Sequence, residues 1–256
     1  MIDTILHSSI RRYSHGKTEY AEDDVIVEQP VSLTVNGKVW LTFMCTPIHL
    51  EALAVGFLYN EKIITSAAEI EDVRVCEHHD NVDVWLNRTV TEPTDWRRTS
   101  GCTGGYTAAV LEDIQPIPKD QLTLRPEKIL ALTEGLQGTQ DLYKKSGGVH
   151  ASALAVSDGI ILHTEDVGRH NTLDKIAGRM LLEKIAVDHP ILLSTGRISS
   201  EMLQKAARLR ASLLISRTSP TSMSVELAEK LGVTLIGYAR GHRFTVYTHP
   251  QRVVWE

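Results

Sequence analysis

The residues best able to do chemistry crowd into one stretch, Thr164-Glu165-Asp166-Val167-Gly168-Arg169-His170-Asn171-Thr172-Leu173-Asp174-Lys175. Acids, an arginine, a histidine and an asparagine share a single turn there. Backbone N–H groups at a strand-to-helix turn favour anions, and Arg169 adds a fixed positive charge, so the stretch reads as a binding site. His170, with an ordinary pKa of about 6.5, can hydrogen-bond a ligand, shuttle a proton or simply brace the turn. The second candidate is Cys102, in Arg97-Arg98-Thr99-Ser100-Gly101-Cys102-Thr103-Gly104-Gly105-Tyr106. Glycines on both sides open the backbone to a reactant, and the two arginines favour the reactive thiolate. A small apolar side chain filling a glycine-rich turn explains Cys102 equally well. Cys45 and Cys76 lie in or beside apolar strands and read as structural.

These groups need elements to position them. Ahead of the polar stretch come Ala153-Leu154-Ala155-Val156, an Asp158-Gly159 hairpin turn and Ile160-Ile161-Leu162. Behind it Leu173, Ile176, Ala177, Met180, Leu181 and Ile185 recur at helical spacing, with Asn171 as the expected N-cap and Asp174 in the first turn. Pro126 is expected to open a helix that runs through Tyr143 and ends at Gly147-Gly148.

Further on, the pattern repeats. The strands Ile191-Leu192-Leu193, Leu213-Leu214-Ile215 and Val233-Thr234-Leu235-Ile236 each lead into a turn of small or hydroxyl-bearing residues that carries arginine. Helices through Ala211 and Leu231 separate the strands, and a strand Phe244–Tyr247 follows. In an open α/β sheet ligands bind at the carboxyl ends of the strands, so these turns converge on one crevice. Arg169, Arg197, Arg217, Arg240 and Arg243 would surround it, with hydroxyls from Thr195, Ser216, Thr218 and Ser219. That inventory suits a ligand with phosphates and a polar heterocycle. Taken singly, each arginine is equally explained as a surface ion-pair partner. Neither G-x-x-x-x-G-K-[ST] nor G-x-G-x-x-G occurs.

The N-terminal part reads as strands and one helix. Strands are expected at Val25–Val27, Val31–Val35 and Val39–Phe43, the last two joined by an Asn36-Gly37 hairpin turn. Thr46-Pro47 is the expected helix start, with Leu50, Leu53, Ala54, Phe57 and Leu58 as its apolar face. Alternating strands follow at Val73–Val75 and Val82–Leu86, and His78-His79 reads as a solvated turn. The change from strand-rich to helix-strand alternation divides 1–120, an α+β subdomain with the Cys102 loop, from 121–256, an α/β cofactor-binding domain.

Composition narrows the classes. A length of 256 residues allows one large domain or two modest ones, and 42% hydrophobic with 23% charged residues is ordinary for a soluble globular chain. A net charge of -5 argues against a general nucleic-acid binder. No apolar run is long enough for a membrane span and the start is no signal peptide, so a cytoplasmic location is expected. Three cysteines with no close pair make a disulfide framework unexpected.

Taken together, Gly101-Cys102, Gly147-Gly148-Val149-His150, Glu165-Asp166-Val167-Gly168-Arg169-His170-Asn171, Asp174-Lys175, Gly196-Arg197 and the Tyr238–Tyr247 segment resemble the formate dehydrogenase accessory sulfurtransferase family, FdhD. The resemblance runs in order along nearly the whole chain. It implies a cytoplasmic homodimer whose C-terminal part is cytidine-deaminase-like. It also implies a sulfurtransferase that accepts sulfur as a persulfide from a cysteine desulfurase. The sulfur would pass to the molybdenum or tungsten bis-pterin guanine dinucleotide cofactor of formate dehydrogenase, with GDP as a fragment ligand. Carried over by position, Cys102 is the persulfide carrier, and Tyr238, Ala239, Arg240, Gly241, His242 and Arg243 match the cofactor-holding segment. Many members have Cys-x-x-Cys where this chain has Cys102-Thr103-Gly104-Gly105, so a resolving thiol is absent. The main alternative is a non-catalytic chaperone that binds and delivers the cofactor. A zinc deaminase, raised by His49-Leu50-Glu51 and His163-Thr164-Glu165, lacks the P-C-x-x-C partner that such chemistry needs.

Overall fold

The computed structural model describes residues 3–94, 97–98, 106–107, 114–118 and 121–255. Cys102 and its glycine-rich segment lie outside the described residues. What brackets them is a short antiparallel pair, β7 (Arg97–Arg98) and β8 (Tyr106–Thr107), with Arg97 opposite Thr107 and Arg98 opposite Tyr106.

The larger sheet has six strands. β9 (His150–Val156) and β10 (Gly159–Asp166) form the hairpin expected at Asp158-Gly159, and β11 (Ile191–Ser194), β12 (Leu213–Ser216) and β13 (Thr234–Arg240) run parallel as expected. β14 (Arg243–Val246) closes one edge antiparallel, giving the order β10-β9-β11-β12-β13-β14. Successive side chains of a strand face opposite sides, and both sides are covered here. Leu154, Leu192, Leu214 and Leu235 pack with α4 (Arg169–Leu182), α5 (Ser200–Arg208) and α6 (Ser222–Leu231). Ala153, Leu193, Leu213, Ile215 and Ile236 pack with α2 (Pro126–Gly138) on the other face.

The smaller sheet has the order β4-β3-β6-β5, from β3 (Gln29–Val35), β4 (Lys38–Cys45), β5 (Ile70–Val75) and β6 (Asn81–Leu86). Asn36 and Gly37 turn the first hairpin with φ of 49° and 77°, the geometry that this dipeptide favours. From α1 (Leu50–Asn60), Leu50, Leu53, Ala54, Val55, Phe57 and Leu58 join this sheet's core, where Phe57 meets Phe43 edge-on with ring centroids 5.1 Å apart.

Four local expectations change. First, β2 is longer than Val25–Val27: β1 (Ile5–Ser14) and β2 (Lys17–Ile26) pair over their full length, mostly exposed, so no alternating buried face marks them in the sequence. Second, α1 starts at Leu50 after His49 in the left-handed region (φ 51°), because Thr46 is held elsewhere. Third, the expected helix from Pro126 to Tyr143 breaks into α2 and α3 (Asp141–Ser146), and α3 does end at Gly147 with φ 66°. Fourth, α5 stops at Arg208 rather than Ala211, and β13 runs on through Tyr238, Ala239 and Arg240 before turning at Gly241-His242.

Candidate functional site

The acids of the polar stretch hold the chain to itself. The Asp166 carboxylate, fully buried, accepts hydrogen bonds from the Gly168 N–H (2.7 Å), the Asn171 amide (2.8 Å) and the Thr46 N–H (3.1 Å). Lys175 Nζ lies 2.5 Å from it and also donates to the Thr46 carbonyl at 3.0 Å. Asn171 is therefore not an N-cap. Gly168 occupies that position, and the Asn171 amide donates to Asp166 and to the Met44 carbonyl at 2.9 Å. Thr46, expected to cap α1, instead accepts the Val167 N–H on its hydroxyl at 3.2 Å. Glu165 accepts the N–H groups of Leu142 and Tyr143, each at 2.9 Å, so it caps α3.

One turn further on, Lys205 Nζ sits 2.6 Å from both carboxylate oxygens of Asp174, and the Asn60 amide donates to the same carboxylate at 2.7 Å. Burial raises the Asp174 pKa, with Lys205 opposing it. The Cys45 thiol is pushed up to about 12, by burial first and by Asp166 next, so it stays protonated and inert.

The space for a ligand lies beside this network, at the carboxyl ends of the parallel strands, as a cleft of about 430 Å3. Thr195, Arg217, Thr218 and Arg240 line it from the strand ends, joined by His150, Val167, Gln140 and Tyr143. None of the described lining residues is acidic, so the two guanidinium groups set its sign and favour an anion. Ser216 holds the β12 turn, donating to the Gly196 carbonyl at 2.7 Å and accepting the Thr218 N–H at 3.1 Å. Tyr238, with φ 53°, donates its N–H to the Thr218 carbonyl at 3.0 Å and so ties the β13 end to the β12 turn. Gly196 is closely approached: a Cβ there would lie 3.0 Å from Arg169 Cβ and 3.4 Å from His150 Nδ1, tight contacts that those side chains would have to relieve. Burial, with the Arg169 charge next, keeps His150 below the usual histidine range.

Of the arginines expected to converge, Arg217 and Arg240 do so. Arg169 opens α4 half-buried, its side-chain stem against Gly196. Arg197 and Arg243 are exposed and outside the lining, as are Gly241 and His242 at the tip of the β13–β14 hairpin. Ser219 is half-buried and accepts the Ile198 N–H on its carbonyl at 3.2 Å. Ala239 is fully buried in the core, leaving only its backbone for a ligand. His170 is 5% exposed and faces inward, its Nε2 3.4 Å from Ser199 Oγ and 3.9 Å from a Glu201 carboxylate oxygen. Burial, then the charges of Lys205 and Arg169, lower its pKa well below the usual value. Gln140 and Tyr143 line the cleft without having been singled out as site residues, and Val167 lines it from within the polar stretch. The helix break after Gly138-Thr139 was the available signal for the first two. Glu165, from one H-x-E match, is occupied as the α3 cap.

The profile of the FdhD/NarQ family matches residues 26–254. The chain belongs to this family. It is 34% identical over 257 residues to the sulfur carrier protein FdhD of Staphylococcus haemolyticus (strain JCSC1435), covering 98% of this chain and 97% of that one. It is 35% identical over 248 residues to the sulfur carrier protein FdhD of Bacillus subtilis (strain 168), covering 94% and 95%. A crystal structure from Desulfotalea psychrophila, of a protein assigned as a formate dehydrogenase accessory protein, superimposes with a TM-score of 0.84 at 27% identity, covering 98% of this chain and all of that one. The FdhD resemblance drawn from the motifs is thereby confirmed, and the fold is a mixed α/β arrangement. Among the described residues no helix is long and apolar enough to cross a membrane.

Proposed function

We propose that this chain is a sulfur carrier for formate dehydrogenase, with Cys102 as the persulfide-bearing residue. The observation that carries this reading is the likeness, over nearly the full length, to proteins named sulfur carrier protein FdhD. In the proposed cycle the Cys102 thiolate attacks the outer sulfur of a persulfide on a cysteine desulfurase. The sulfur–sulfur bond to the donor breaks as the new one forms, and the donor leaves as a thiolate. The outer sulfur would then pass to the molybdenum or tungsten bis-pterin guanine dinucleotide cofactor as sulfide: the sulfur–sulfur bond to Cys102 breaks, two electrons come from the reduced metal of that cofactor, and Cys102 returns to its thiolate. One thiol suffices for this, and Gly105 in place of a second cysteine removes any route through an internal disulfide.

The cleft, with no acid among its described lining residues, supports binding of that client. Arg217 and Arg240 offer charge-assisted hydrogen bonds to phosphate, and Thr195 and Thr218 add hydroxyls. On the same reading the protein acts in the cytoplasm as a homodimer. Its 121–256 half has the cytidine deaminase architecture, and the boundary near residue 120 separates that half from the part with Cys102.

The second reading, a chaperone that binds and delivers the cofactor without carrying sulfur, draws on the same cleft and on the missing second cysteine. Mass spectrometry after incubation with a cysteine desulfurase and cysteine separates the two. A sulfur carrier gains one sulfur atom on the peptide containing Cys102, and Cys102→Ala fails to restore formate oxidation in a strain lacking the gene. An unmodified Cys102 together with full rescue by Cys102→Ala would leave only the chaperone.

A further inference from the structure

β1 and β2 form a two-stranded ribbon, 10 residues in each strand, in which no residue is buried. Leu6, Tyr13, Tyr20 and Val25 are 60%, 74%, 85% and 43% exposed. An isolated ribbon of this kind is marginally stable in water, so these side chains call for a cover. His15 and Gly16, with φ 49° and 79°, turn the ribbon in two residues, and at its base the Thr4 carbonyl accepts the Val27 N–H at 2.9 Å. Both ends fix the same alternation. Ser14, Arg12, Ile10, Ser8 and Leu6 bond to β2, so the N–H and C=O groups of His7, Ser9, Arg11 and Tyr13 point outward along the free β1 edge. Neither a proline nor a bulge blunts that edge, and such an edge is a template for another strand.

We propose that β1 pairs antiparallel with β1 of a second copy of this chain about a two-fold axis at Ile10, making a four-stranded sheet in the order β2-β1-β1-β2. The proposal rests on the reading that the protein is a homodimer, and it assigns the contact. Charge selects this edge and this register. Arg11 lies over the Tyr20 ring, 5.5 Å from its centroid, and has no acidic partner among the described residues. Glu22, opposite Ser9 on the same face, has no cationic partner among them. With Ile10 on the axis, Arg11 comes opposite Ser9 of the partner subunit, whose short side chain leaves the way open to Glu22 of the partner subunit one strand further. Two strand spacings are about 10 Å, which an arginine and a glutamate span together. On the other face Arg12, 3.2 Å from its own Asp23, comes opposite Ser8 of the partner subunit and meets a second aspartate in the same way. Ile10 meets its own copy, with Ala21 beyond it on either side, so an apolar row crosses all four strands. The β2 edge fails this test, because Glu19, Glu22, Asp23 and Asp24 outnumber its one lysine, Lys17, and would repel their own copies. The β1 contact is isologous, each copy giving the edge that it receives.

Sedimentation velocity of the full chain over a concentration series, joined to disulfide cross-linking, tests this. Ser9→Pro removes an outward N–H and spares the ladder to β2, so it should raise the dimer dissociation constant about tenfold or more. Ile10→Cys should give a covalent dimer under copper-catalysed air oxidation, because facing residues of such a pair have Cα atoms about 4.5 Å apart, within disulfide reach. Tyr13→Cys, which faces His7 of the partner subunit, should cross-link no more than wild type. If wild type is a dimer, Ser9→Pro dimerises equally well and Ile10→Cys fails to cross-link, the β1 contact is wrong and the homodimer reading stands. Cross-linking of Tyr13→Cys as fast as Ile10→Cys overturns the register and the proposal with it. A wild type that stays monomeric overturns the homodimer reading and this one together, and gives the ribbon to a different partner. Ile10→Cys keeps the test decisive even if Ser9→Pro folds poorly.

Discussion

Gly56 of α1 and Gly178 of α4 meet backbone to backbone. A Cβ on Gly56 would lie 1.7 Å from the Asp174 carbonyl oxygen, and one on Gly178 would lie 1.9 Å from that of Ala52. The two helices join the layer containing the smaller sheet to the layer containing the cleft, and the close crossing brings Asn60 within reach of Asp174. Backbone cannot yield as a flexible side chain can. Gly178→Ala is therefore expected to lower stability by about 3 kcal/mol, seen as a lower urea midpoint. A midpoint equal to wild type would mean that the helices separate freely.

The Asp166–Lys175 pair lies wholly out of solvent, and removing one partner strands the other charge. Lys175→Met is expected to cost about 3–5 kcal/mol. In the double variant with Asp166→Asn the losses should fall short of additivity by about 1–3 kcal/mol, since the stranded carboxylate is gone. Additive losses in urea unfolding would show that the two side chains act independently.

His170 and His150 both have pKa values below the ordinary histidine value, through burial first. Above about pH 6.5 the imidazole is neutral in the folded and unfolded chains alike. Below it the unfolded chain takes up protons that the fold refuses, so stability present at neutral pH is lost as pH falls. Each such proton contributes a slope of up to about 1.4 kcal/mol per pH unit. His170→Gln should flatten the dependence of the urea midpoint between about pH 6.5 and pH 5. Parallel curves for variant and wild type would remove His170 as a cause.

Arg217 and Arg240 line the cleft, whereas Arg243 does not, although it lies opposite Arg240 across the hairpin. Arg217→Ala and Arg240→Ala should each weaken GDP about tenfold or more, and Arg243→Ala less than about threefold. Isothermal titration ranks them. An Arg243 effect equal to the others would place the phosphates at the hairpin tip.

Thiol reactivity should separate the cysteines. Cys45 is buried with its pKa pushed up to about 12, so an alkylating reagent near neutral pH should leave it unlabelled in the native protein while Cys102 reacts. Peptide mapping reads the order. Labelling of Cys45 ahead of Cys102 would remove the case for a reactive Cys102.

Much of the frame was written locally. Asn36-Gly37 and Asp158-Gly159 mark their hairpins because their backbone geometry is intrinsic, and the apolar runs at 191–193, 213–215 and 233–236 announce strands covered on both faces. The convergence of Arg217 and Arg240 followed from that parallel order. Residue type alone misled at Thr46 and Asn171, both good caps whose hydrogen bonds go instead to the chain around Asp166. It also missed the break before α3, which depends on Glu165 reaching back to Leu142 and Tyr143 across the hairpin, and with it the cleft wall at Gln140. The sequence by itself determined where most strands and helices form, since periodicity and turn chemistry act between near neighbours; the exposed β1–β2 hairpin and the break before α3 are the exceptions. Only the tertiary structure decided which charged groups face the cleft and which neutralise each other inside. Buried charges must find partners, and those partners can lie more than a hundred residues away.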